Sequence, residues 1–446
     1  MQNLLYRLFR LRQGELGLVL VLGFLLLANS IALEVSDVVA VSGFLSQVET
    51  PRILIVWIVD FTLLILTTGL QSLVIDRFQR VSVIRWMIFG FALIYIVLRL
   101  MFTLGVPGWL NYTLLFLLSD QQWLFFPLVF WVLANDIFND MTQAKRIFPV
   151  IASWGFVGQI IGLGLAAAAP SLLARLHVQS YEMLTLNAFI YLVVYMVIGI
   201  GLRNIVVRQT AKKTESIQET LSEGWGFVRE VPAFRYLMLS ILGIAAAIII
   251  VEYHFLVVTD AYFAGGGFQT FYSLSRLAVT ISAFAVQSLL TSRIMDKLTV
   301  KNSFFILPIS MAAMIAWVLA IPTVVSATAA LMISRLMKQT VDESAKKSLQ
   351  SLVPEERRGR VSIFMDSYLF SGGIILGCLI AGGVTLVGQA MGISQFFYGY
   401  LAIAFLFLIL AIWTLFQMRN AYDSSMLNWR LKRRQRGSSV LDKLEF

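Results

Sequence analysis

The chain has 446 residues, of which 59% are apolar and only 13% charged. Soluble globular chains carry about 45–50% apolar and about 25% charged residues, and a core of this size cannot hide the excess from water. A net charge of +10 would suggest nucleic acid in a soluble protein, but in a membrane protein it points to basic cytoplasmic loops. The single cysteine, Cys378, excludes an internal disulfide framework and a cysteine zinc cluster. Two histidines, His177 and His254, leave little room for a histidine metal site, and no cofactor is expected.

A spanning helix needs roughly 20 mostly apolar residues. Such stretches lie near 14–38, 52–75, 82–104, 110–135, 147–172, 183–203, 235–257, 268–292, 302–321, 323–345, 361–388 and 395–418. Each is apolar around the whole helix, and far longer than the roughly 10 residues of a barrel strand. The predicted class is an all-α membrane protein with twelve transmembrane helices in two six-helix bundles. The start, 1–13, carries Arg7, Arg10 and Arg12 and runs straight into a full-length span, which reads as an uncleaved cytoplasmic N-terminus.

The first bundle is expected over 14–203 and the second over 235–418. The linker between them, 204–234, holds an amphipathic pattern over 214–231, with Ile217, Leu221, Trp225 and Phe227 set against Glu215, Glu219 and Glu223. A basic tail, 419–446, contains Arg430, Lys432, Arg433, Arg434 and Arg436. It reads as a clamp on anionic membrane lipid; a motif for a protein partner is the second reading.

With both termini inside, only Arg52 and Arg175 fall in outer loops. Arg99, Arg276, Arg335 and Lys338 lie within spans, and the rest of the 35 Lys and Arg residues lie in inner segments or the helix ends beside them. That asymmetry sets the orientation and accounts for the net charge without nucleic acid. It reads as a multi-pass protein of a cell membrane, a bacterial inner membrane by expectation.

The two halves echo each other. Asp76, Arg77 and Arg80 after the second span return as Asp296 and Lys297 after the eighth, 220 residues on. Arg146 and Phe156–Ile161 return as Arg360 and Phe370–Ile375, 214 residues on, and Glu34 matches Glu252 at 218. Two six-helix halves in parallel repeat around a central loop resemble the major facilitator superfamily. The Asp76–Arg77–Arg80 and Asp296–Lys297 loops resemble its signature loop and second copy, with Ser72 and Gln79 where the family has glycines. The resemblance implies charge pairs that favour one conformation; plain basic anchoring of a tight loop is the alternative.

A more specific likeness follows the fourth span. Phe130-Trp131, Ala134-Asn135-Asp136 and Ala144-Lys145-Arg146-Ile147-Phe148-Pro149 resemble the ATP/ADP translocase family, the nucleotide transporters of plastids and intracellular bacteria. Lys338, Asp342, Glu343, Lys346 and Lys347 are similar to that family's second-half stretch, at a spacing different by one residue. The resemblance implies nucleotide exchange by an antiporter. One departure matters: that family has a nucleotide-binding lysine in its first helix, where this chain has only Glu34 and Asp37.

A charge at mid-helix costs about 2.5–3.5 kcal/mol on insertion scales, so each needs a partner, a wet cavity or a task. In the resembled fold, helices 1, 4, 7 and 10 line the central cavity. Arg335 and Lys338 are three apart and share one face of the tenth span. Two cations there would hold an anionic group such as phosphate, or else pair with acids, or Lys338 would reach the cytoplasmic surface. Asp120 and Gln121 take the matching place in the fourth span, with Asp120 the expected counter-charge of Arg335. Glu252 and His254 in the seventh span match Glu34 and Asp37 in the first, and read as proton carriers, as a polar outer gate, or as groups exposed at helix ends, Asp37 first among them.

Asp60 in the second span and Arg276 in the eighth are an expected salt bridge, gating or static. Asp366 is expected to meet Lys145, Arg146 or Arg360 at an inner gate, and Arg99 to snorkel outward. Gly155, Gly158, Gly162, Gly164, Gly372, Gly373 and Gly377 suit close helix packing.

The absence of a P-loop motif excludes ATP-driven pumping by this chain, and two histidines leave no Ser/His/Asp set, so an enzyme is not expected. The expected function is secondary transport of an anionic solute by alternating access, with a nucleotide or another phosphorylated compound as the leading cargo. The rivals are a non-transporting receptor or scaffold for a partner at the cytoplasmic face, and a lipid flippase.

Overall fold

The computed structural model describes residues 15–441, apart from 76–78, 139–140, 204–216, 264–265, 351–352, 354 and 393–396. Among the described residues there is no strand, and every predicted span is helical. The first six helices are Glu15–Gln47, Ile53–Ile75, Arg80–Thr103, Gly108–Ile137, Met141–Arg175 and Met183–Gly201. A linker helix, Ile217–Glu230, precedes the seventh, Pro232–Tyr262, and the eighth, Phe268–Leu289. Short helices Thr291–Leu298 and Val300–Ser303 lead to the ninth, Ile306–Ala320. The last helix, Phe397–Leu441, runs on through the basic segment, where no proline interrupts it.

The tenth and eleventh helices depart from the α-helical reading. The tenth is Val324–Met337, then a π-helical turn Lys338–Asp342, then Glu343–Gln350. The eleventh is Glu355–Ile363, a π-helical turn Phe364–Leu369, then Phe370–Ala390. Ten helices among the described residues are long and apolar enough to cross a membrane. The eighth and tenth fall short in hydropathy, because the eighth carries Gln269, Thr270, Ser273, Ser275 and Arg276, and the tenth gathers Arg335, Lys338 and Asp342.

The chain divides into two compact units: Met1–Glu215 with Thr259–Phe284, and Ser216–Val258 with Ala285–Phe446. In the first unit, the fifth helix lies hard against the first. A Cβ on Gly162 would sit 2.8 Å from the Ile31 carbonyl oxygen, so only glycine permits that approach. A buried polar network ties four helices together. Ser36 and Tyr95 share a bond of 2.6 Å, and Tyr95 donates to Gln122 at 2.7 Å. Tyr191 donates to Asn29 at 2.9 Å, and Asn187 to Ser36 at 2.8 Å. Such groups are costly in an apolar interior unless they satisfy one another, so they fix the rotation of each helix.

In the second unit, the eleventh helix packs on the seventh in the same way. A Cβ on Gly373 would lie 2.7 Å from the Leu242 oxygen, and one on Gly377 2.6 Å from the Ala246 oxygen. Gly158 faces Leu27 and Gly162 faces Ile31. The structural offset is therefore 215, not the 214 read from the sequence. The π turn at Phe364–Leu369 explains the change. An i→i+5 turn takes one residue more than an α turn, so the register slips by one between Arg360 and the glycines. The linker helix sits on that turn, with Gly224 against the Phe364 ring.

Gly377→Val should lower stability by about 1–3 kcal/mol, because the Ala246 backbone cannot retreat. Gly383→Ala on the same helix has open space and should change it by less than about 0.5 kcal/mol. Thermal unfolding of the two variants in detergent checks this.

Candidate functional site

The charges of the second unit gather along one face of the tenth helix. Residues 335, 338, 342 and 346 follow at steps of three and four, which stacks them in a row. Arg335 Nη2 lies 2.5 Å from Glu252 Oε1 on the seventh helix. Asp342, buried, holds Lys346 Nζ at 2.7 Å. Lys347 reaches Asp366 at 3.0 Å and Glu343 at 3.3 Å, and Gln350 donates to Asp366 at 2.9 Å. Partial burial opposes the charge on Lys347, but the carboxylates of Asp366 and Glu343 outweigh it and raise its pKa.

Lys338 sits between these pairs and differs from them. It opens the π turn, and its Nζ lies 3.9 Å from the centroid of the Phe370 ring. Among the described residues no carboxylate comes within ion-pair distance of it. Glu252, Asp342, Glu343 and Lys346 act on it only through space. Beside it, Ser240, Ile244 and Ile248 of the seventh helix, with Phe304, Asp342, Lys346 and Phe370, line a narrow pocket. The arrangement presents an ammonium on an aromatic face, next to two ion pairs that an incoming charge would perturb.

His254 does not join Glu252. It is buried on another side of the seventh helix, as a spacing of two requires, and shares a bond of 3.1 Å with Tyr400. The paired proton carrier expected there gives way to an Arg335–Glu252 ion pair and a core histidine.

In the first unit, Arg276 is gripped by two carboxylates one turn apart on the first helix: Glu34 at 2.8 Å, and Asp37. Thr50 donates to Asp260 at 2.6 Å. Gln269 and Thr270 donate to the Ala166 and Ala167 oxygens at 3.0 and 3.1 Å. The expected Asp60–Arg276 pairing is thus superseded, since Arg276 already faces two acids. Asp60 has Asp120 and Gln121 beside it. Asp120 is the expected counter-charge of Arg335, but the ion pair described for Arg335 is with Glu252.

At the other end, Arg80 pairs with Asp136 across the third and fourth helices. Arg146 takes Glu15 at 2.7 Å. In the second unit Asp366, expected to meet Lys145, Arg146 or Arg360, pairs with Lys347 from the end of the tenth helix. Arg99 pairs with Glu182 rather than reaching solvent alone. Asp76 and Arg77 lie outside the described residues, as do the side chains of Lys145 and Asp296; Lys297 is exposed.

No family model matches the sequence, and no curated protein matches it. Solved structures do match its fold. A variant of the nucleoside transporter NupG aligns with TM-score 0.67 at 14% identity, over 91% of this chain and 100% of that one. A bacterial homologue of the iron transporter ferroportin, in its inward-facing state, aligns with TM-score 0.66 at 13% identity, over 92% and 100%. A POT family transporter in complex with a thioalcohol-conjugated peptide aligns with TM-score 0.61 at 11% identity, over 88% and 94%. These neighbours are transporters, not enzymes. The chain is a multi-pass membrane protein with the major facilitator fold.

Arg276→Gln should destabilise the protein by about 3 kcal/mol, because two partly buried carboxylates lose their cation. Adding Glu34→Gln and Asp37→Asn should recover part of that loss. Thermal unfolding of the single and triple variants reads the difference.

Proposed function

We propose that this chain is a secondary transporter for an anionic solute, working by alternating access as the halves 14–203 and 235–418 rock about the site. The observation that carries this reading is Lys338: a cation at the π turn of the tenth helix, held by a ring and, among the described residues, not by a carboxylate. A charge in such a place needs a partner or a task. An anion bound there would also compete with Glu252 for Arg335, which couples occupancy to a helix–helix ion pair. The Arg276–Glu34–Asp37 cluster supplies a polar lock that a transport cycle would make and break.

The fold does not choose the cargo, since the structural neighbours are described as nucleoside, iron and peptide transporters. The likeness of 130–149 and 338–347 to ATP/ADP translocases favours a phosphorylated solute, with a nucleotide first, taken by exchange. The basic inner segments support a bacterial inner-membrane protein with both termini in the cytoplasm.

Lys338→Gln should weaken phosphate or nucleotide binding at least tenfold, or about 1.4 kcal/mol. It should leave the ligand-free melting temperature nearly unchanged, because no ion pair is lost. Binding of inorganic phosphate, AMP, ADP and ATP by thermal shift checks both. Equal affinity in the variant and the parent refutes the site.

A further inference from the structure

The ion pairs of the first unit engage Arg80, Arg99, Arg146 and Arg276. Among the described residues, no carboxylate comes within ion-pair distance of Arg85. It is exposed, and its guanidinium carbon lies 4.7 Å from the centroid of the Tyr195 ring on the sixth helix. One turn along that helix, Gly199 has no side chain to cover it: a Cβ there would stand 3.6 Å from Arg85 Nη2. Arg203, four residues beyond Gly199 and just past the end of the helix, is exposed as well.

An apolar strip continues from the guanidinium. Residues 85, 89, 93 and 97 follow at steps of four on the third helix, and Phe89, Leu93 and Val97 are exposed. The Phe89 ring lies 5.4 Å from that of Tyr195, and the exposed Trp86 ring 6.0 Å from that of Phe89. The third helix has 24 residues and is long and apolar enough to cross a membrane. Its length is about 36 Å, against a hydrocarbon core of roughly 30 Å. Arg85 lies in its second turn, so it stands at one edge of that core, with the strip running inward from it.

We propose that Arg85, over the Tyr195 ring and with Arg203 beyond Gly199, binds the phosphodiester of an anionic phospholipid whose acyl chain lies along Phe89, Leu93 and Val97. A guanidinium at the hydrocarbon edge needs a counter-charge, and the anions at that depth are lipid phosphates. Its planar fork grips two phosphate oxygens at once and leaves a face for the ring. The ring holds the fork in place beforehand, which lowers the ordering cost of binding. Trp86 suits the headgroup layer, where one end of the indole is wet and the other apolar. Two cations without a described carboxylate favour an anionic headgroup over a zwitterionic one, whose ammonium they would repel. The site stands whether or not the chain moves a solute.

The test is the melting temperature of the purified full chain in detergent, with phosphatidylglycerol, with phosphatidylcholine of the same acyl chains, or with water-soluble glycerol phosphate. Phosphatidylglycerol should raise the parent by about 2 °C or more above phosphatidylcholine. Arg85→Gln should lose at least half of that gain and Arg203→Gln a smaller part. Arg175→Gln, which removes an exposed charge at the end of the fifth helix, should keep it. A parent with no preference for phosphatidylglycerol overturns the proposal, as does an equal loss in Arg175→Gln, which would leave surface charge alone as the cause. A gain that glycerol phosphate reproduces and Arg85→Gln abolishes would assign the site to a soluble phosphate instead. Dimers in light scattering that Trp86→Ala dissociates would assign the face to a second copy of the chain; either result also overturns it. If Arg85→Gln fails to fold, the parent, Arg203→Gln and Arg175→Gln still decide.

Discussion

A charge inside hydrocarbon must be neutralised where it stands, and this chain is organised by that requirement. With so few charged residues, those within the helices can be followed one at a time. Arg276 meets Glu34 and Asp37, Arg335 meets Glu252, Lys346 meets Asp342, and Arg99 meets Glu182. Except for Lys346–Asp342, which lie one turn apart on the tenth helix, each pair ties one segment to another, so the polar minority sets which apolar helices touch and at what depth. Among the described residues, Lys338 has no carboxylate and Asp60 no cation within ion-pair distance.

Close approach of helices is the second organiser. Gly158 and Gly162 let the fifth helix meet the first, and Gly373 and Gly377 let the eleventh meet the seventh. The same contact appears in both halves, displaced by 215 residues. The halves are nevertheless not copies. The second carries π turns at Lys338–Asp342 and Phe364–Leu369, and the charge row runs through both. Such turns often mark functional sites. Here they set Lys338 against Phe370 and Asp366 against Lys347.

The architecture was legible in the sequence because its signals are one-dimensional. Long apolar runs and the repeated glycine-bearing stretches at 156–161 and 370–375 need no knowledge of contacts. Arg335 and Lys338 could be singled out for the same reason, by depth and spacing on one helix. Partners could not. The repeat aligns Gln121 with Arg335 but says nothing of Glu252, eighty-three residues upstream of Arg335. Asp60 looked like the mate of Arg276 only because opposite charges at one depth invite pairing; the two acids one turn apart at 34 and 37 were the better signal. The π turns left no mark in composition, and the one-residue slip they cause became visible only once the glycines were seen against their carbonyls.

The central proposal is that the charge row of the tenth helix serves to carry an anion across the membrane. Counterflow in proteoliposomes tests it directly. Vesicles holding the purified chain are loaded with an unlabelled phosphate or nucleotide and diluted into a trace of the same labelled solute. The account predicts transient accumulation of label above its outside concentration, absent from protein-free vesicles. Saturable binding of the anion with no trans-stimulated uptake, for phosphate and for every nucleotide tried, would contradict it.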